Sequence, residues 1–127
     1  MKKIWTNGCF DILHIGHLRL FEYAKSLGDT LTVGIDSDNR VKKLKGKDRP
    51  INNENIRKEM LMDIKYIDNV VVFDNERELD YFISKLADKI VVGSDYINRD
   101  VIGSSHCDVV FFDRIPEFST TKTIDQM

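Results

Sequence analysis

Five short runs of apolar, mostly β-branched and aromatic residues recur along the chain at Ile4-Trp5, Leu31–Ile35, Val70–Phe73, Ile90–Val92 and Val109–Phe112. Helical apolar patterns fill most of the intervals between them. Strands that pair in parallel need a return connection of a dozen or more residues, usually a helix, so this alternation is the sequence form of a parallel sheet with crossover helices. The runs are continuous rather than alternating, which fits strands covered on both faces. The expectation is an α/β fold, an open parallel sheet of about five strands with helices on both faces. A chain of 127 residues suits a single domain, 1–127, able to build its core without staples.

Composition narrows the function. Nineteen Lys and Arg against 21 Asp and Glu leave a net charge of −2, so the chain has no general attraction to nucleic acid or to an anionic membrane. Neither is expected as a partner. No apolar run approaches the roughly 20 residues of a membrane span, and Met1-Lys2-Lys3 leads straight into Ile4-Trp5 without a signal-peptide core, so a cytoplasmic protein is expected. Cys9 and Cys107 are too few for a disulfide framework and read as reduced thiols.

The spacing of Leu20, Phe21, Ala24 and Leu27 predicts a first helix from near Gly16 to Leu27. A second begins after Asp36-Ser37-Asp38, whose short polar side chains can cap it, and gives way to a basic loop, Lys42–Pro50. Further helices fit Asn53–Lys65 and Arg77–Ala87, and a short last one starts at Ser119-Thr120-Thr121. Ligands of open α/β sheets bind beyond the carboxyl ends of the strands. The loops that gather there are Asn7–Ile15, Asp36–Pro50, Gly93–Asn98 and Asp113–Thr121.

The densest of them reads Thr6-Asn7-Gly8-Cys9-Phe10-Asp11-Ile12-Leu13-His14-Ile15-Gly16-His17. Glycine admits a phosphate close to the backbone, the start of a helix offers free N–H groups, and two imidazoles can stabilise charge on phosphoryl oxygens. The plainer alternative is that His14 caps the loop and His17 is a polar residue of the first turn. A metal site built from Asp11, His14 and His17 lacks any accompanying Cys pair or HExxH helix, so no protein metal site is expected. Lys42, Lys43, Lys45, Lys47 and Arg49 concentrate positive charge directly after the second strand, where they could close over a polyphosphate rather than simply solvate a surface. Arg57 reads from spacing as a surface partner of Glu54 or Glu59. Gly93-Ser94-Asp95-Tyr96 offers a turn and a carboxylate, and Arg114 with Ser119, Thr120, Thr121 and Lys122 forms a second potential anion site at a helix start.

Gly8-Cys9-Phe10-Asp11, the His14-Ile15-Gly16-His17 segment and Ser119-Thr120-Thr121-Lys122 together resemble the cytidylyltransferase-like nucleotidyltransferases, from Ile4 to Lys122. Two branches are similar in different places. The HxGH segment and the Arg114…Ser119-Thr120-Thr121-Lys122 pattern are similar to glycerol-3-phosphate cytidylyltransferases. Thr6–His14 and Lys42–Asn52 are similar to the adenylyltransferase domain of bifunctional heptose-phosphate enzymes. Ile115-Pro116-Glu117-Phe118 departs from the Thr-Glu-Gly-Ile usual in the cytidylyltransferases, near their base pocket.

The resemblance implies a Rossmann-like fold and transfer of AMP or CMP from a nucleoside triphosphate to a phosphorylated sugar or polyol, most like a heptose-1-phosphate adenylyltransferase. It implies catalytic roles for His14, His17, Lys42 and Lys45, and nucleotide binding by Asn7, Gly8, Cys9, Phe10, Asp11, Gly16, Arg57, Gly93, Asp95, Arg114, Ser119, Thr120 and Thr121. Mg²⁺ held mainly through the nucleotide phosphates, and a homodimer, are further implications. A nucleotide-binding module without catalysis is the competing reading, separable by pyrophosphate release.

Overall fold

The computed structural model describes residues 1–94 and 99–113. Its elements run β1 (Lys3–Gly8), α1 (Ile15–Ser26), β2 (Thr30–Asp36), α2 (Asp38–Lys45), α3 (Glu54–Met62), β3 (Asn69–Phe73), α4 (Glu76–Leu86), β4 (Lys89–Gly93) and β5 (Asp108–Phe112). The strands form one parallel sheet in the order β3-β2-β1-β4-β5. The five predicted runs are its five strands. The chain starts in the centre, builds outward through β2 and β3, then crosses to the other side of β1 for β4 and β5. That reversal at β1 and β4 opens the crevice in which such sheets bind ligands.

The central strand explains the two cores. Neighbouring residues of a strand face opposite sides, so Ile4 and Trp5, both fully buried, belong to different layers. Ile4 joins Leu31, Val33, Ile35 and Val70 under Leu20, Phe21 and Ala24 of α1 and Leu61 of α3. Trp5 joins Phe73 and Ile90 under Leu79 and Ile83 of α4. Gly34 makes room for the indole, because a Cβ there would stand 2.4 Å from Trp5 Cζ2. Substituting Gly34 by Ala overfills this layer, and a loss of about 1–3 kcal/mol is expected in urea denaturation. An unchanged midpoint would show that the ring can move aside.

The cap expected at the start of the second helix is present, and two further helices start on caps that were not singled out. Ser37 caps α2, Asn53 caps α3 and Asn75 caps α4, each side chain accepting a backbone N–H of the first turn. Two boundaries differ clearly from expectation, and one is that α3 ends at Met62 rather than Lys65. Lys42, Lys43 and Lys45 lie on α2, which continues to Lys45, rather than in a loop beginning at Lys42. Lys and Leu are good helix formers, and the first residue that breaks the pattern is Gly46, at φ 104°. Among the described residues no helix is long and apolar enough to cross a membrane.

Candidate active site

A cleft of about 460 Å³ opens at the carboxyl edge of the sheet. Asn7, Gly8, Cys9, Phe10 and Asp11 of the first loop form one wall, with His17 of α1, Lys45 of α2 and Gly93 of β4 around it. These eight were all expected site residues. The cleft wall does not include His14, Gly16, Lys42 or Arg57. It does include Asp36, Arg40, Phe73, Leu79, Asp100 and Ile102, which sequence reasoning did not single out. Of these, Arg40 carried a legible signal, since it stands four residues after Asp36 and pairs with it at 2.7 Å. Asp95, Arg114, Ser119, Thr120 and Thr121, with the predicted last helix, lie outside the described residues.

The first loop turns on Phe10, whose φ of 50° is in the left-handed region. That conformation is costly for a bulky residue and persists because the surroundings fix it. The Phe10 ring is buried edge-on against Phe21 at 5.2 Å and His17 at 5.4 Å between centroids. Gly8 has no Cβ to obstruct the ring, which would meet one at 3.0 Å. The glycine and the aromatic residue of this motif therefore serve one turn, which carries Cys9 and Asp11 to the cleft.

At the start of α1 the two histidines cap the helix reciprocally. The Gly16 N–H donates to His14 Nδ1 at 3.0 Å, and the His14 N–H donates to His17 Nδ1 at 3.2 Å. The rings stack 4.0 Å apart. A backbone N–H can only donate, so each Nδ1 acts as acceptor and each ring carries its proton on Nε2. His14 does cap the helix, while His17, only 4% exposed, also forms part of the cleft wall.

Asp11 and Arg57 knit the loops together. The Asp11 carboxylate accepts the N–H groups of Ile51 and Asn52, both at 2.8 Å, and pairs with Arg49 Nε at 3.3 Å. Arg57 is 1% exposed rather than a surface partner of its helix neighbours. Its Nε donates to Asn52 O at 3.0 Å, its Nη1 to Cys9 O at 2.9 Å and Asp36 O at 2.7 Å, and its Nη2 to Asp38 at 2.9 Å. These bonds engage every N–H of the guanidinium but one. Three oxygen-rich segments at the ends of β1 and β2 and before α3 are fixed by one side chain.

Burial pushes the Cys9 thiol up, against a lowering by nearby Lys45 and Arg57. A thiol raised this way is mostly protonated at neutral pH and a poor nucleophile. Alkylation of Cys9 by iodoacetamide at pH 7.5 should run slower than that of an unstructured thiol, and mass spectrometry of the Cys9 peptide checks it. Labelling at the free-thiol rate would contradict this environment. No group of three or more His, Cys, Asp or Glu among the described residues is arranged to hold a metal ion. The donor chemistry agrees, because Asp11 and both Nδ1 atoms are engaged by protein N–H groups.

This cleft can hold an anion between a helix start and a lysine-bearing helix. The profile of the cytidylyltransferase-like family matches residues 5–125. The chain belongs to the cytidylyltransferase-like family of nucleotidyltransferases. Within that family it is 41% identical over 98% of its length to the bifunctional protein HldE of Campylobacter fetus, of which it covers 27%. The HldE of Hyphomonas neptunium is 46% identical over 82% of this chain and 21% of that protein. The chain thus spans about a quarter of the length of these curated relatives. The crystal structure of the lipopolysaccharide core biosynthesis protein from Thermoplasma volcanium superposes with a TM-score of 0.70 at 26% identity, covering 91% of this chain and 97% of that one.

Proposed function

We propose that this domain transfers AMP from ATP to the phosphate of a sugar 1-phosphate, with a heptose 1-phosphate the leading acceptor, and releases pyrophosphate. The observation that carries this reading is the joint placement of the first loop and the lysine helix α2 on one cleft. The first loop and the second half of α2 belong to Thr6–His14 and Lys42–Asn52, the segments in which the sequence is most similar to the heptose-type adenylyltransferases, and the HldE relatives match over most or nearly all of the chain.

An oxygen of the acceptor phosphate attacks the α-phosphorus in line, the bond to the bridging β-phosphate oxygen breaks, and pyrophosphate leaves. A phosphate monoester is largely ionised at neutral pH, so the nucleophile needs no general base. The chain's part is positioning and charge stabilisation. The Nε2–H groups of His14 and His17 act as neutral donors to phosphoryl oxygens, with His17 the principal one. Lys45, and Lys42 one turn earlier on α2, neutralise charge on the phosphates. The triphosphate enters as its Mg²⁺ complex, so the ion arrives as part of the substrate. Arg114, Ser119, Thr120 and Thr121 are assigned to the β- and γ-phosphates by the family resemblance.

Donor choice is tested by supplying ATP or CTP with a panel of heptose, hexose and glycerol phosphates and measuring pyrophosphate. Release with ATP and a sugar 1-phosphate supports the reading, and release confined to CTP and glycerol 3-phosphate would replace it by a cytidylyltransferase.

A further inference from the structure

Trp5 and Asn7 stand two residues apart on the same face of β1, and the mechanism above gives neither a specific task. The indole Nε1–H donates to Asn7 Oδ1 at 2.8 Å. An indole nitrogen can only donate, so the carboxamide oxygen, not its nitrogen, faces the ring. The ring itself is immobilised. It is fully buried, lies across Gly34, and packs with Phe73 and Leu79 beneath the cleft. Asn7 belongs to the cleft wall, and with Oδ1 engaged its NH2 group is the end left for a ligand, without a protein partner among the described residues.

We propose that Trp5 is a positioning residue that fixes the Asn7 carboxamide so that its NH2 group donates to an oxygen of the bound substrate. This makes Asn7 a specificity-determining residue. It offers a donor where a freely turning amide could offer either a donor or an acceptor, and so selects a phosphate or hydroxyl oxygen over an N–H group. The proposal rests on the cleft being the place where the organic phosphates bind.

A double-mutant cycle tests it. Trp5→Phe keeps an aromatic ring in the buried layer but removes the N–H together with part of the indole's volume, so the cycle compares its effect in two backgrounds. Asn7→Ala should raise KM for one substrate about tenfold with kcat nearly unchanged, the pattern of a lost binding hydrogen bond. Trp5→Phe alone should raise the same KM by a smaller factor, and in the Asn7→Ala background it should raise it no further. The same factor in both backgrounds would assign Trp5 a merely structural role and overturn the proposal. Asn7→Asp keeps the oxygen that Trp5 needs and lacks the NH2, so its KM effect should be at least that of Asn7→Ala.

The positioning half is read without turnover and without Trp5→Phe. In the ligand-free wild-type protein the Trp5 indole N–H resonance should exchange slowly, and it should shift and exchange faster in Asn7→Ala while persisting in Asn7→Asp. Adding Mg-ATP or a sugar 1-phosphate should move the Asn7 side-chain amide resonances of the wild-type protein. An indole signal indifferent to Asn7→Ala, or Asn7 amide signals indifferent to both compounds, overturns the proposal. A protein that shows these shifts but releases no pyrophosphate with any acceptor would overturn the proposed reaction instead.

Discussion

Arg57→Ala should be among the most destabilising single substitutions in this domain, costing about 3–5 kcal/mol, a large part of the stability of a domain this size. The reason is asymmetric. The guanidinium is buried with its partners, and removing it strands the carbonyls of Cys9, Asp36 and Asn52 together with the Asp38 carboxylate. Each abandoned buried acceptor costs more than the bond it replaced contributed. Arg57→Lys keeps the charge but not the planar fork, so it should recover only part of the loss. Urea denaturation followed by circular dichroism measures both. If Arg57→Ala keeps its stability to within about 1 kcal/mol while the affinity for ATP falls, the arginine acts on the nucleotide rather than on the loops.

His17→Ala should lower kcat by a factor of about 10²–10³, the usual cost of removing one preorganised donor to developing charge. KM for ATP should change far less, because the contact strengthens in the transition state. The side chain also accepts the His14 N–H and packs edge-on against Phe10, so structure has to be controlled for. His17→Asn offers a carbonyl oxygen that can accept the His14 N–H but lacks an Nε2–H at the same reach. It should restore stability lost in His17→Ala while staying slow. A His17→Asn protein with wild-type kcat would remove the histidine from the chemistry. Nitrogen-15 spectra should find both His14 and His17 protonated at Nε2, as their capping bonds require.

Much of this fold was legible because local and tertiary preferences agree. Runs such as Leu31–Ile35 are too apolar to be anything but buried, and Ser37 caps its helix from the polar triplet in which a cap was expected. The first loop was legible as a site because Gly8, Phe10, His14 and His17 are close in sequence as well as in space. Arg57 was not. Its neighbours Glu54, three residues before it, and Glu59, two after, suggested a surface ion pair, whereas its partners come from Cys9, Asp36, Asp38 and Asn52, brought together only by the sheet. Asp11 hid its contacts with Ile51 and Asn52 for the same reason. Phe73, Leu79 and Ile102 are apolar, and nothing in their spacing says that the core ends at a cleft there. The basic segment was placed at the correct edge of the sheet, but its helical half was obscured because charge density says little about backbone conformation.

Nucleotidyl transfer by this domain is tested most directly by following a labelled α-phosphate. The protein is incubated with Mg²⁺, ATP carrying ³²P in the α-position and a sugar 1-phosphate, and the products are separated by chromatography. Label should pass into a nucleotide-sugar in step with pyrophosphate release, and both should fall together in His17→Ala. Tight binding of ATP with the label remaining in ATP, across sugar and polyol phosphates and with CTP as well, would contradict nucleotidyl transfer and leave a nucleotide-binding module in its place.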